Sequence, residues 1–190
     1  MTSKKKNKDV PQSYRKILHY FFSFPQETMS LNDIAKNTGI SKTSAKITVA
    51  RLIKEGFLKK EAIGNAWRIY IADQKDPFMM TRKIPYNLEL IYGSGIIAKV
   101  YSKIPEAKAI ILFGSYRWGA DNEKSDIDIG IEVLGNREMR IESLETLDNL
   151  GFRRNIKVNL HIFSRNKIDL NLFTNIANGI VLDGLLEVRP

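Results

Sequence analysis

The chain has 190 residues, 43% hydrophobic and 27% charged, with a net charge of +9, the proportions of a globular protein with core material for one sizeable domain or two small ones. With no cysteine and only two histidines, it excludes disulfides and thiolate sites and argues against zinc, so any bound metal is expected to have oxygen ligands and to be Mg²⁺ or Mn²⁺. No apolar run approaches the roughly 18 residues of a membrane span, and the opening MTSKKKNKDV lacks the apolar segment of a signal peptide, so a cytoplasmic protein without a membrane partner is expected.

The charge is unevenly placed. Residues 1–85 carry 17 Lys and Arg against 7 Asp and Glu, whereas residues 86–190 carry 13 against 14. Two domains are expected, of which the first meets a polyanion. Residues 1–10 read as a disordered basic tail. From Ser13 the apolar residues Tyr14, Ile17, Leu18, Phe21 and Phe22 recur at helical spacing until Pro25. Ser30 then caps LNDIAKNT, Gly39 stops it, and Ser41 caps a longer helix, KTSAKITVARLIKE, that ends at Gly56. In that longer helix Ala45, Val49, Leu52 and Ile53 form the inward stripe, which leaves Lys42, Thr43, Lys46 and Arg51 outside, with Ile47 on the outer face. FLKKEAI and the alternating run AWRIYIAD flank the turn Gly64-Asn65 and predict a hairpin carrying Arg68.

Helix, helix, helix, hairpin, with the turn TGIS between the second and third helices, resembles the winged-helix family of DNA-binding domains over residues 11–73. The resemblance implies binding to double-stranded DNA, with Lys42, Thr43, Lys46, Arg51, Asn65 and Arg68 as the contact residues. Winged helices also dock proteins, and Ile47 suits either use. Residues 74–85, with two prolines and no periodicity, read as a linker.

Residues 86–103 read as helical despite Gly93 and Gly95. The apolar strand AKAIILF follows, then Gly114-Ser115, a polar loop, and a strand on which Asp126, Asp128, Gly130 and Glu132 share one face while Ile127, Ile129, Ile131 and Val133 take the other. A charged helix is expected around REMRIESLETLDNL, a second alternating strand at NIKVNLHIF, and a closing helical region from about Lys167 to Leu186. The layer pattern is α/β, or more loosely α+β: a mixed sheet with flanking helices over residues 86–190.

Two carboxylates one residue apart on a strand face repel unless a cation compensates them, and magnesium does so while keeping waters and sharing phosphate oxygens. A glycine-serine turn ending the preceding strand lets backbone amides and a hydroxyl approach a phosphate. Gly114-Ser115, ten residues, then Asp126-Ile127-Asp128 resembles the signature of the polymerase-β-like nucleotidyltransferase superfamily, and within it the minimal nucleotidyltransferase branch, over about residues 88–188. The resemblance implies transfer of a nucleotidyl group from an NTP, ATP by preference, to a hydroxyl with loss of pyrophosphate. It implies Gly114, Ser115 and Arg117 at the triphosphate and Asp126 and Asp128 at the metal. It also implies, for part of the branch, an antitoxin role toward a HEPN-type toxin.

The family's third carboxylate, on a later strand, corresponds to Asn159, which supplies neither charge nor a proton acceptor. His161 shares its face and is a candidate base. A second reading stays open: a transcription regulator whose transferase-like domain is catalytically impaired and senses a nucleotide or forms a homodimer.

Overall fold

The computed structural model describes residues 11–64, 66–73 and 75–187. The expected basic tail 1–10 and Asn65 of the hairpin turn lie outside them. Two compact units divide the chain, Met1–Asp73 and Gln74–Pro190.

In the first unit three helices precede a hairpin: α1 Gln12–Ser23, α2 Leu31–Thr38, α3 Lys42–Lys54, β1 Leu58–Ile63 and β2 Ala66–Ile71. Ile17, Phe21 and Phe22 of α1, Ile34 of α2, and Ala45, Val49 and Leu52 of α3 are buried together with Ile69 of β2. The starts and stops are local chemistry. Ser30 and Asp33 form a reciprocal capping box, Gly39 closes α2 in the left-handed conformation, and Ser41 Oγ accepts from the Ser44 amide. Two details differ from the sequence pattern. Thr48, not Ile53, completes the buried stripe of α3, its hydroxyl 3.2 Å from Ser13 Oγ. Met29 exchanges two backbone hydrogen bonds of 2.8 Å with Ile69, which adds a bridge to the outside of β2.

The second unit contains α4 Pro77–Gly93, α5 Ile96–Lys103, β3 Ala107–Phe113, the short α6 Gly114–Trp118, β4 Ile127–Val133, β5 Arg140–Leu150, β6 Arg153–Phe163, α7 Leu170–Ala177 and β7 Ile180–Gly184. Its sheet runs β5-β6-β4-β3-β7; β4 and β6 are parallel and every other neighbour is antiparallel. Helices α4 and α5 supply Ile91, Ile96 and Val100 to a core with Ile110, Ile129, Leu160 and their neighbours. On the opposite face Ile176 of α7 packs with Ala109, Ile111, Phe113 and Phe163. Among the described residues no helix is long and apolar enough to cross a membrane.

Four sequence expectations change here. The charged helix around REMRIESLETLDNL is β5. Ile141, Leu144, Leu147 and Leu150 recur every third residue and mimic a helix, but a bulge between Ser143 and Glu145 resets the strand's alternation, and the turn at Gly151-Phe152 pairs it with β6. The helix over 86–103 is broken, because Gly95 adopts φ +76° between α4 and α5. The linker 74–85 is helical from Pro77: Asp76 caps the helix by accepting from the Phe78 amide at 2.9 Å, and Pro77 occupies the first turn, where a missing N–H costs nothing. The closing helical region stops at Ala177, and the chain turns back as β7 on the outer edge of β3.

Candidate functional site

β3 ends at Phe113, which pairs with Asp128 of the neighbouring strand. Gly114 comes next at φ +69°, and a Cβ there would lie 2.9 Å from Asp128 Oδ2. Glycine is thus required twice, for the left-handed backbone and for the close approach to the carboxylate. Gly114 to Trp118 make one helical turn, closed by Gly119 and by a 3.0 Å bond from the Ala120 amide to the Ser115 carbonyl.

The loop from this turn to Asp126 is held by buried polar groups. Lys83 of α4 reaches the Asp121 carboxylate at 3.0 Å and its carbonyl at 2.5 Å, and Asn87 donates to Asp121 Oδ1 at 2.7 Å and to the Tyr116 carbonyl at 3.0 Å. Arg153 of β6 donates to the Tyr116 hydroxyl and to the carbonyls of Glu123 (3.1 Å) and Ser125 (2.7 Å). Burial pulls the Lys83 amine below its ordinary range, against the charge of Asp121, and pushes the Tyr116 hydroxyl up. Sequence reasoning missed this network, whose members lie 28–38 residues apart.

Asp126 and Asp128 project from the start of β4 toward the same side. The parallel pairing sets Asn159 beside Asp128 and His161 beside Gly130. Asn159 Nδ2 is 3.5 Å from Asp126 Oδ2 and 3.4 Å from Asp128 Oδ1, long contacts that bridge the two carboxylates. His161 Nε2 lies 3.2 Å from Asp128 Oδ1. A carboxylate only accepts, so Nε2 carries the hydrogen. The ring stands edge-on to Phe113 at 4.8 Å, and its Nδ1 is buried without a hydrogen-bond partner.

The other expected residues have the following surroundings. Arg117 donates through Nε to the Asn178 carbonyl at 2.7 Å and lays its guanidinium 3.6 Å over the Trp118 ring. Glu132 is buried and held by Arg165 at 2.8 and 3.1 Å, so the face of β4 carries its charge in two separate places. In the first unit Lys42, Thr43 and Lys46 are exposed on α3 and Arg68 on β2, and Lys46 borders a cleft of about 400 Å³ with Ser30, Asn32 and Trp67. Arg51 is exposed but bonded to Glu55 at 2.8 Å and stacked over Tyr14.

Among the described residues no group of three or more His, Cys, Asp or Glu could hold a metal. Two carboxylates one residue apart, the second approached closely by Gly114, fit a different arrangement. Magnesium is commonly bound by one or two carboxylates together with substrate phosphates and water, without an all-protein cage. The donor set suits a metal that arrives with a phosphorylated ligand.

Residues 96–183 match the family model described as "Polymerase beta, Nucleotidyltransferase". The matched segment runs from α5 into β7 and takes in Gly114, Ser115, Asp126, Asp128 and Asn159. No curated protein matches the chain. The family match, the mixed sheet and the placement of Asp128 beside Gly114 together support a polymerase-β-like nucleotidyltransferase domain over residues 96–183.

Proposed function

We propose that the second unit binds a magnesium-NTP complex, with ATP as the preferred nucleotide, and transfers its nucleotidyl group to a hydroxyl. The observation that carries the reading is the approach of Gly114 to Asp128, the second aspartate of the Asp126-Ile127-Asp128 pair, at the end of β3. Asp126 and Asp128 would hold the metal, or Mn²⁺ in its place, and the bound metal would supply charge neutralisation on the transferring phosphoryl group. Ser115 and the backbone after Gly114 orient the triphosphate, and Arg153, Lys83 and Asn87 keep the loop before Asp126 in register.

The first unit supports a second activity, binding to double-stranded DNA. Its exposed Lys42, Thr43 and Lys46 lie on one helix beside a basic hairpin, in a half of the chain that holds the whole positive excess. Together the two units would make a DNA-binding nucleotidyltransferase, and the proposed acceptor is a HEPN-type toxin, which would make the protein its antitoxin. Phosphate contacts predict that affinity for duplex DNA falls steeply between 50 and 200 mM salt; affinity indifferent to salt would assign the first unit to protein docking.

One observation favours a second reading. Asn159 bridges the two aspartates where the family places a carboxylate, and His161 bonds to Asp128, an arrangement consistent with a nucleotide-sensing or dimerising transcription regulator that turns over slowly or not at all. Label transfer from α-labelled ATP separates the two: transfer by the wild type and none by the Asp126→Asn, Asp128→Asn double variant supports the enzyme. Nucleotide binding without transfer supports the sensor, and transfer unchanged in the double variant contradicts the assignment of the site.

A further inference from the structure

The residues around Ser115 contain a feature that the triphosphate and metal roles leave unused. Trp118 ends the turn that Gly114 and Ser115 begin, and its side chain is half-exposed, at 49%. Ser115 and Trp118 are three residues apart on one helical turn, which puts them on the same face with Cβ atoms about 5–6 Å apart. One side of the indole is taken, since the Arg117 guanidinium lies 3.6 Å from the ring centroid and is itself fixed by its 2.7 Å bond to the Asn178 carbonyl. The backbone behind the ring is also fixed: a Cβ at Gly119 would come 2.9 Å from the Met80 carbonyl of α4. The result is a half-exposed aromatic plate backed by a cation, one helical turn from the serine assigned to the phosphates.

A solvent-exposed tryptophan costs apolar surface, and an arginine held by the Asn178 carbonyl against one of its faces makes sense if the plate has a flat ligand. We infer that Trp118, braced by Arg117, is the stacking platform for the base of the bound nucleotide. This rests on the nucleotide-binding reading of the site and deepens it by assigning the base end. Stacking uses the π-face that every base presents and reads none of its edge groups. The platform therefore favours purines over pyrimidines by contact area and does not distinguish ATP from GTP. Arg117 is a positioning residue in this account.

The chain has two tryptophans, so a Trp67→Phe background leaves Trp118 as the sole indole reporter. Titration with Mg-ATP, Mg-GTP, Mg-CTP and Mg-tripolyphosphate is followed by Trp118 fluorescence and, independently, by thermal shift. The platform predicts quenching by ATP and GTP, weaker quenching by CTP and none by tripolyphosphate. It also predicts that Trp118→Ala weakens ATP binding in the thermal-shift titration roughly tenfold or more, while tripolyphosphate binding is unchanged and Trp118→Phe retains most of the affinity. Equal binding of ATP and tripolyphosphate, with ATP affinity unaffected by Trp118→Ala, overturns the platform and leaves the triphosphate site standing. Binding of neither probe to the parent protein overturns both readings.

Discussion

Asp128 and Glu132 sit on the same face of β4, four residues apart, and their environments are opposite. The Glu132 side chain is 4% exposed and bonded by Arg165 through two nitrogens, whereas that of Asp128 is 30% exposed and meets only an amide at 3.4 Å and an imidazole at 3.2 Å. Gly130 separates them, and a Cβ there would fall 2.8 Å from Ile176, so α7 rests on the strand between the two acids. One carboxylate is paired within the protein through its Oε1; the other is more exposed and has no cationic Lys or Arg partner among the described residues, as the proposed metal-nucleotide role requires.

The strongest way to sharpen this contrast is to restore the missing acid. Asn159→Asp adds a third carboxylate beside Asp128, and the rate of nucleotidyl transfer from ATP is expected to rise by about 10²–10⁴, the usual worth of a general base. The rise is measured as label transfer per enzyme per minute, and a rate no higher than the wild type's would show that Asn159 is not the limiting substitution. At the other end of the strand Arg165→Ala strands a buried Glu132 and is expected to cost about 3 kcal/mol in urea unfolding. Adding Glu132→Gln should recover part of that loss, and neither change should alter ATP affinity. A change in ATP affinity would erase the distinction between the two ends. Gly114→Ala forces an L-residue into the left-handed region against Asp128 and is expected to destabilise by about 1–2 kcal/mol while weakening ATP binding; equilibrium unfolding and a nucleotide titration on the same variant read the two effects.

The rule that burial disfavours charge extends to the first unit on a smaller scale. Burial, with Glu27 nearby, pushes the Tyr20 hydroxyl up to about 12. The folded form then keeps its proton where the unfolded chain releases it. Tyr20's contribution is complete below pH 10 and is lost as pH rises from 10 toward 12. Tyr20→Phe should flatten that part of the pH dependence, as seen by denaturation at pH 9 and pH 11.

The parts of this molecule legible in its sequence are those governed by near neighbours. Ser30, Gly39 and Ser41 mark the helix limits of the first unit by bonding within a few residues, and the spacing of Gly114, Ser115, Asp126 and Asp128 shows in the linear order because one hairpin-like connection brings them together. The misread parts depend on distant partners. β5 is a strand because β6 pairs with it, although its leucines follow a helical interval, and β7 becomes a strand only by reaching the free edge of β3. Arg165 could not be matched to Glu132, or Lys83 to Asp121, without the fold, since 33 and 38 residues separate them. The bond from Arg117 Nε to the Asn178 carbonyl, 61 residues away, is equally invisible in the sequence.

The central claim, that Asp126 and Asp128 with the Gly114-Ser115 turn hold a metal nucleotide, is tested most directly by thermal unfolding of the wild type and of the Asp126→Asn, Asp128→Asn double variant, each with and without Mg-ATP. Mg-ATP is expected to raise the Tm of the wild type and not that of the double variant, the nucleotide-free Tm of the two proteins staying close. An equal rise in both proteins would contradict the claim.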